Sequence, residues 1–261
     1  MRRDEVSGGV AAFFDLDGTL IGEPSLERRF FAELRAQRAI PVENYLLWLT
    51  RAARLIPQGI HMARHANKMY LRGVCGHADE SCNRQRSPRG SEQEKMAVPR
   101  FSPPAIDRVS WHAQQGHGIV LVSGTLAPLA DEMAVALVVR LAVRGITASV
   151  GVCGTQLEEA DGKWTGRIIG DAMFGEAKAR AVRRIAAQSE LDLSRCYAYG
   201  NCLSDRWMLE AVGWPAAVNP SRGMENLAKR RGWPVFRWDK KEESAMREPT
   251  MHTRDEAERV A

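Results

Sequence analysis

The apolar stretch that opens at Val10 runs Val-Ala-Ala-Phe-Phe and ends in Asp15-Leu16-Asp17-Gly18-Thr19. Successive apolar residues without polar alternation fit a strand buried on both faces, the habit of a parallel sheet covered by helices above and below. Such a strand delivers its two terminal carboxylates to the sheet edge where open α/β folds bind ligands. The rest of the chain is consistent with this constraint. Residues 119–122 form a second short apolar strand, followed by Ser123-Gly124-Thr125 and a helical pattern through Val143. Residues 147–152 read as a third strand, and 156–169, with Asp161-Gly162 at the middle, as a hairpin. A helix over 176–188, a strand over 196–199, a Gly200-Asn201 turn, a helix near 207–212 and a strand at 216–218 complete the alternation. The prediction is an α/β fold built on a doubly wound parallel sheet.

The stretch between the first two strands differs. From Leu26 to about Leu71 apolar residues recur at helical spacing (Leu26, Phe30, Phe31, Leu34, then Tyr45, Leu46, Trp48, Leu49), with Pro41 and Pro57 as interruptions. Between Glu27 and Arg72 nine Lys or Arg stand against three Glu, a local excess larger than the +5 of the whole chain. Trp48, Leu49, Leu55, Ile56, Met62, Met69 and Tyr70, interleaved with Arg51, Arg54, Arg64 and Lys68, read first as core and rim of a small helical unit. An anionic membrane surface is the alternative. Residues 73–104 are rich in Gly, Ser, Arg and Pro and read as a loose connection; from Asp239 the chain is charged and lacks an apolar stripe, as a poorly ordered tail would.

No apolar run reaches the 18 or so residues of a membrane span, and the longest, Met133 to Val139, is closed by Arg140. Arg2 and Arg3 open the chain as a secretory leader does, but Asp15 and Asp17 break the apolar stretch that follows, so a cytoplasmic protein is expected. Five cysteines without paired spacing (Cys75, Cys82, Cys153, Cys196, Cys202) fit reduced thiols.

Four strand or helix ends deposit polar residues at one rim: Asp15 with Asp17, Ser123 with Gly124, Lys178 entering a helix, and Asn201 with Asp205. Phosphoryl transfer to a side chain requires a nucleophile, a proton donor for the leaving oxygen, and positive charge against the phosphate. Asp15 and Asp17 supply the first two, while Gly18 lets the backbone turn. Mg²⁺, which prefers oxygen ligands, would be held by Asp15, the main-chain carbonyl of Asp17 and an oxygen of the Asn201 loop. Lys178 adds a second cation. Ser123 offers a hydroxyl, and the amides of Gly124 and the helix start after it would face the anion.

Phe14-Asp15-Leu16-Asp17-Gly18-Thr19, Val122-Ser123-Gly124-Thr125, Gly175-Glu176-Ala177-Lys178 and Gly200-Asn201-Cys202-Leu203-Ser204-Asp205 resemble, in order, the four motifs of the haloacid dehalogenase-like hydrolases, in the spacing of the phosphoserine phosphatase-like branch (subfamily IB). The resemblance implies a Rossmann-like core, residues 1–21 and 105–238, with a helical cap of the C1 type inserted at 22–104. It implies a Mg²⁺-dependent phosphomonoesterase in which Asp15 becomes an aspartyl-phosphate and Asp17 protonates the leaving group, then activates water. Gly18, Thr19, Ser123, Gly124 and Lys178 would hold the phosphate, and Asn201 and Asp205 would complete the metal region. Such enzymes commonly carry Asp at the position of Asn201 and often Ser at that of Cys202, so one negative charge is missing beside the metal.

The expected substrate is a small phosphorylated metabolite, phosphoserine-like, or a lysophospholipid phosphate. Glu23, Arg28 and Arg29, just after the nucleophile strand, are candidates for reading it. The competing class is a phosphate-ligand or membrane-surface binding module that kept the pocket while Asn201 weakened turnover. Zinc at Cys75, His77 and Cys82 is disfavoured by the spacing. Nucleic acid is not expected at Arg84, Arg86 and Arg89, which lack stacking aromatics. His61, His65, His112, His117 and His252 form no ligand spacing and read as surface residues. Thr125 reads as the N-cap of the helix that follows it. The sequence leaves the oligomeric state open.

Overall fold

A computed structural model describes residues 9–58, 66–75 and 100–238. Strand β1 (Ala11–Phe14) is buried along its whole length, and its side chains alternate between two cores. Ala12 and Phe14 point into one and Ala11 and Phe13 into the other, which is why the stretch carries no polar alternation. Around it lie β2 (Gly118–Leu126), β3 (Val150–Thr155), β6 (Tyr197–Gly200), β7 (Trp214–Val218) and β8 (Val235–Phe236), in the order β3-β2-β1-β6-β7-β8 with every pairing parallel. β4 (Leu157–Ala160) and β5 (Lys163–Ile168) form a separate antiparallel hairpin, as the Asp161-Gly162 turn predicts.

Helices cover both faces. On the Phe14 side pack α3 (Pro103–Gln114) and α4 (Ala127–Val143), through Val109, Met133 and Leu137 among others. On the Phe13 side pack α5 (Glu176–Gln188), α6 (Arg206–Leu209) and α7 (Arg222–Arg231). The chain builds outward from β1 through β2 to β3, then returns to the other flank of β1 with β6. This reversal places the topological switch point at the carboxyl end of β1. Phe14 pairs with both Leu121 and Tyr199, so the residues just beyond all three emerge at one edge.

The insertion after β1 contributes α1 (Leu26–Ala36) and α2 (Val42–Leu55). Phe30 and Leu34 of α1, with Tyr70, Leu71 and Val74, pack against Leu157 and Trp164 of the hairpin, Leu126 at the end of β2 and Leu129 in the first turn of α4. This third core lies beside the carboxyl edge of the sheet.

Several expectations are corrected. Leu55, Lys68 and Tyr70 are buried, but Val42, Leu46 and Leu49 of α2 and Ile56 just after it are exposed. Met62 and Arg64 lie outside the described residues, as do His61, His65, His77, Cys82, Arg84, Arg86, Arg89, His252, most of the stretch read as loose and the tail from 239. Cys75 is disulfide-bonded, whereas Cys153, Cys196 and Cys202 are free; an odd cysteine count argues against a framework of bridges but not against a single one. His112 is fully buried: its Nε2 pairs with the hydroxyl of Tyr199 at 2.8 Å and its Nδ1 with His117 at 2.9 Å. Burial first, then His117 and Arg108, hold its pKa well below the ordinary histidine value. α7 and β8 were not anticipated. Among the described residues no helix is long and apolar enough to cross a membrane.

Phe14 has no exposure and stacks on Tyr199 with ring centroids 4.6 Å apart. Phe14→Ala is expected to destabilise the fold by about 3–5 kcal/mol, and Val139→Ala, on the exposed side of α4, by no more than about 0.5 kcal/mol. Urea denaturation of the two variants checks this.

Candidate active site

The end of β1 turns sharply. Leu16 O accepts from the amides of Thr19, Leu20 and Ile21, and Gly18 stands at φ +81°, a conformation that favours glycine. A Cβ on Gly18 would fall 1.9 Å from Asn201 Nδ2, so this turn and the Asn201 side chain touch. Asp15 is 5 % exposed and is fixed from three directions. Its amide donates to Tyr199 O at 2.9 Å, the Thr19 hydroxyl donates to Oδ2 at 3.0 Å, and Lys178 Nζ donates to Oδ1 at 2.6 Å.

Lys178, 3 % exposed on the first turn of α5, also donates to Asp205 Oδ1 at 2.6 Å. Burial disfavours its charge, but Asp15 and Asp205 reverse that effect and hold its pKa above the ordinary lysine value. Burial and the charge of Asp205 push Asp15 up to about 7 against the pull of Lys178. Burial would also raise Asp205, yet Lys178 and hydrogen bonds from Cys202 keep it below the usual carboxylate range. Asp205 Oδ2 accepts from the amides of Asn201 and Cys202, both at 3.0 Å, and from the Cys202 thiol at 3.3 Å. Asp205 is thus consumed in shaping its own loop and in holding Lys178. It approaches so closely that a Cβ on Gly200 would lie 2.6 Å from its Cβ. Burial and the neighbouring Asp205 carboxylate raise the Cys202 thiol to about 12.

Asp17 is gripped at both oxygens. Leu26 N, the first amide of α1, donates to Oδ1 at 2.8 Å, and the Thr125 hydroxyl donates to Oδ2 at 2.5 Å. Burial raises its pKa, and these two hydrogen bonds offset part of the rise. Ser123 is 1 % exposed; its oxygen accepts Thr125 N at 3.2 Å, leaving its own hydrogen to donate.

Asp15, Asp17, Gly18, Thr19, Ser123, Lys178, Asn201 and Asp205 therefore meet at one edge of the sheet. Other placements differ from expectation. β2 runs to Leu126 and α4 starts only at Ala127, so Gly124 lies in extended chain, not at a helix start, and Thr125 is not a cap. The hydroxyl of Thr19 is spent on Asp15. Glu23 and Arg28 form an exposed pair 3.9 Å apart, and Arg29 braces the turn by donating to Pro24 O at 2.7 Å. Sequence reasoning missed Thr125 and a partly buried trio beside Leu26: Lys68 Nζ donates to both oxygens of Glu27, 2.6 Å to Oε2, and Tyr70 OH donates to Oε1 at 2.6 Å. Glu27 read only as one more charge in a basic helix.

The donor set suits a hard cation. Asp15 offers carboxylate oxygen, and the side-chain amide of Asn201 makes no hydrogen bond among the described residues while lying against the Gly18 turn. Among the described residues no group of three or more His, Cys, Asp or Glu side chains is placed to hold a metal ion. A cleft of about 900 Å³ opens nearby, between α2, β5 and the start of α5. Arg51, Arg54, Arg167 and Arg180 line it; Asp15 does not.

A family model described as haloacid dehalogenase-like hydrolase matches residues 12–210. A probable phosphatase of Mycobacterium tuberculosis is 32 % identical over 231 residues, covering 87 % of this chain and 75 % of the relative. A phosphoserine phosphatase of the same organism is 37 % identical over 124 residues, covering 48 % of this chain and 37 % of its own. A solved phosphoserine phosphatase, in a form described as a phospho-aspartyl intermediate analogue, shares the fold with a TM-score of 0.54 at 16 % identity, covering 89 % of this chain and 94 % of its own.

Folded Asp15 binds its proton more tightly than the unfolded chain, whose aspartates titrate near 3.9. Its contribution to stability is therefore complete below that value and is lost as pH rises through about 7. In metal-free protein, the denaturation midpoint of wild type is expected to fall relative to that of Asp15→Asn between pH 4 and pH 7. Parallel pH titrations of the two midpoints test it.

Proposed function

This chain belongs to the haloacid dehalogenase-like hydrolases, as a phosphatase of that family, and we propose that it cleaves phosphomonoesters through an aspartyl-phosphate formed on Asp15. The observation that carries the proposal is the pairing of a buried Asp15, held by Lys178 and Thr19, with an Asp17 oriented separately by Thr125 and α1. Two carboxylates two residues apart thus have different partners, as a nucleophile and a proton donor require.

In the first half-reaction a lone pair of Asp15 attacks phosphorus, the bond to the leaving oxygen breaks, and Asp17 gives that oxygen its proton. Lys178 and the hydroxyl hydrogen of Ser123 hold the phosphate oxygens. In the second, Asp17 takes a proton from water, the resulting oxygen attacks phosphorus, and the bond to Asp15 breaks to release inorganic phosphate. When bound beside Asp15, the Asp17 carbonyl and Asn201, Mg²⁺ would supply positive charge that offsets the phosphate. The helical insertion acts as the cap: α1 holds Asp17 directly, so its seating and the alignment of the proton donor are linked. A small polar phosphate, phosphoserine-like, is the favoured substrate class, supported by the phosphoserine phosphatase relative.

Hydrolysis of p-nitrophenyl phosphate is expected to disappear on chelation, to return with Mg²⁺, and to fall by more than about 10³-fold in Asp15→Asn. Turnover by Asp15→Asn at the wild-type rate would overturn the assignment.

One observation favours a second reading, a lysophospholipid phosphate met at an anionic bilayer. Val42, Leu46 and Leu49 of α2, with Ile56 just beyond its end, are exposed apolar residues in a region where Arg51 and Arg54 are also exposed. On that reading the protein sediments with vesicles containing phosphatidylserine and is released by salt, and Leu46→Glu with Leu49→Glu abolishes the association. Absence of sedimentation at low salt would leave the soluble substrate alone.

A further inference from the structure

We infer that Thr125 is a positioning residue that sets which oxygen of Asp17 faces the leaving group; the inference rests on the reading of Asp17 as proton donor. Thr125 is 3 % exposed, and its hydroxyl lies 2.5 Å from Asp17 Oδ2 across 108 positions of sequence. The contact does not follow from regular strand geometry. The register between β2 and β3 shifts between Val122 and Leu126, and Thr125 stands inside that irregular stretch. Such breaks re-aim side chains. Here the break carries Ser123 and Thr125 together, with Thr125 N bound to Ser123 Oγ and Thr125 Oγ1 bound to Asp17.

The two partners of Asp17 differ in kind. The amide of Leu26 can only donate, so the oxygen it meets, Oδ1, must be an acceptor in every state of the carboxyl. The hydroxyl of Thr125 can donate or accept, so it remains a partner of Oδ2 whether or not that oxygen carries hydrogen. The transferable proton is thereby assigned to Oδ2. When it passes to the leaving oxygen, the Oδ2–H bond breaks and the alcohol O–H bond forms, while Thr125 donates its own hydrogen to a lone pair of Oδ2 before and after the transfer and so keeps the transferable hydrogen turned toward the leaving oxygen. Neither Asp15 nor the phosphate contacts are involved, and a valine at position 125 keeps the backbone amide that holds Ser123.

The experiment compares wild type, Thr125→Val, Thr125→Ser and Asp17→Asn on a series of aryl phosphates running from 4-nitrophenyl to unsubstituted phenyl. A good leaving group departs without a proton, and a poor one does not, so a misaligned donor steepens the dependence of kcat/KM on leaving-group pKa. Thr125→Val is expected to lose about 10²-fold on phenyl phosphate and to stay within about threefold of wild type on 4-nitrophenyl phosphate, with Thr125→Ser restoring the wild-type slope. Equal losses on both substrates, or no loss on either, would overturn the inference while a steep slope in Asp17→Asn leaves the proton-donor reading intact. A wild-type slope in Asp17→Asn would remove that reading and this inference with it.

Discussion

Everything at the carboxyl edge depends on one buried ammonium shared by two carboxylates. Lys178 lies 2.6 Å from Asp15 and 2.6 Å from Asp205, and none of the three is more than 5 % exposed. Buried charges of this kind persist only when each is paired and hydrogen-bonded. The arrangement meets that condition with parts of three separate segments: the end of β1, the first turn of α5 and the loop after β6. It thereby turns a chain reversal at the sheet edge into a fixed constellation. Asp205 does so without an oxygen to spare, because the loop it closes takes up Oδ2 and Lys178 takes Oδ1.

Much of this was legible because burial on both faces leaves a mark in sequence. β1 has to be apolar at every position, and the first polar residue after it, Asp15, marks where the strand ends. Lys178 was harder, since in composition it is one cation in a helix that also holds Arg180, Arg183 and Arg184; only the Gly175 before it set it apart. Thr125 was misread because a small polar residue ahead of a helix is usually a cap, and nothing local reveals that the strand runs on to Leu126. His112 was misread for a related reason. Its partners, Tyr199 and His117, come from β6 and the turn after α3, and no spacing along the chain announces them. The strand β8, two residues long, falls below what periodicity can detect.

The insertion is bound to the core by more than apolar packing. α1 reaches Asp17 through the amide of Leu26, while the next residue, Glu27, is tied to Lys68 and Tyr70 farther along the same insertion. Burial and the adjacent Glu27 carboxylate drive the Tyr70 phenol above its ordinary range, so it stays a donor to that carboxylate. The polar trio braces the start of the helix whose first amide touches the candidate proton donor. Polar groups that read as solvated charge in the sequence are in this way part of the framework around the site.

Cys202 has a quieter consequence. A sulfur atom next to Asn201 would ordinarily invite thiophilic metals or peroxide, both of which need the thiolate. Raised to about 12 and turned toward Asp205, the group remains S–H and behaves as a serine hydroxyl would. The candidate site thus carries its sulfur in an inert form beside the oxygen-bearing side chains of Asn201 and Asp205.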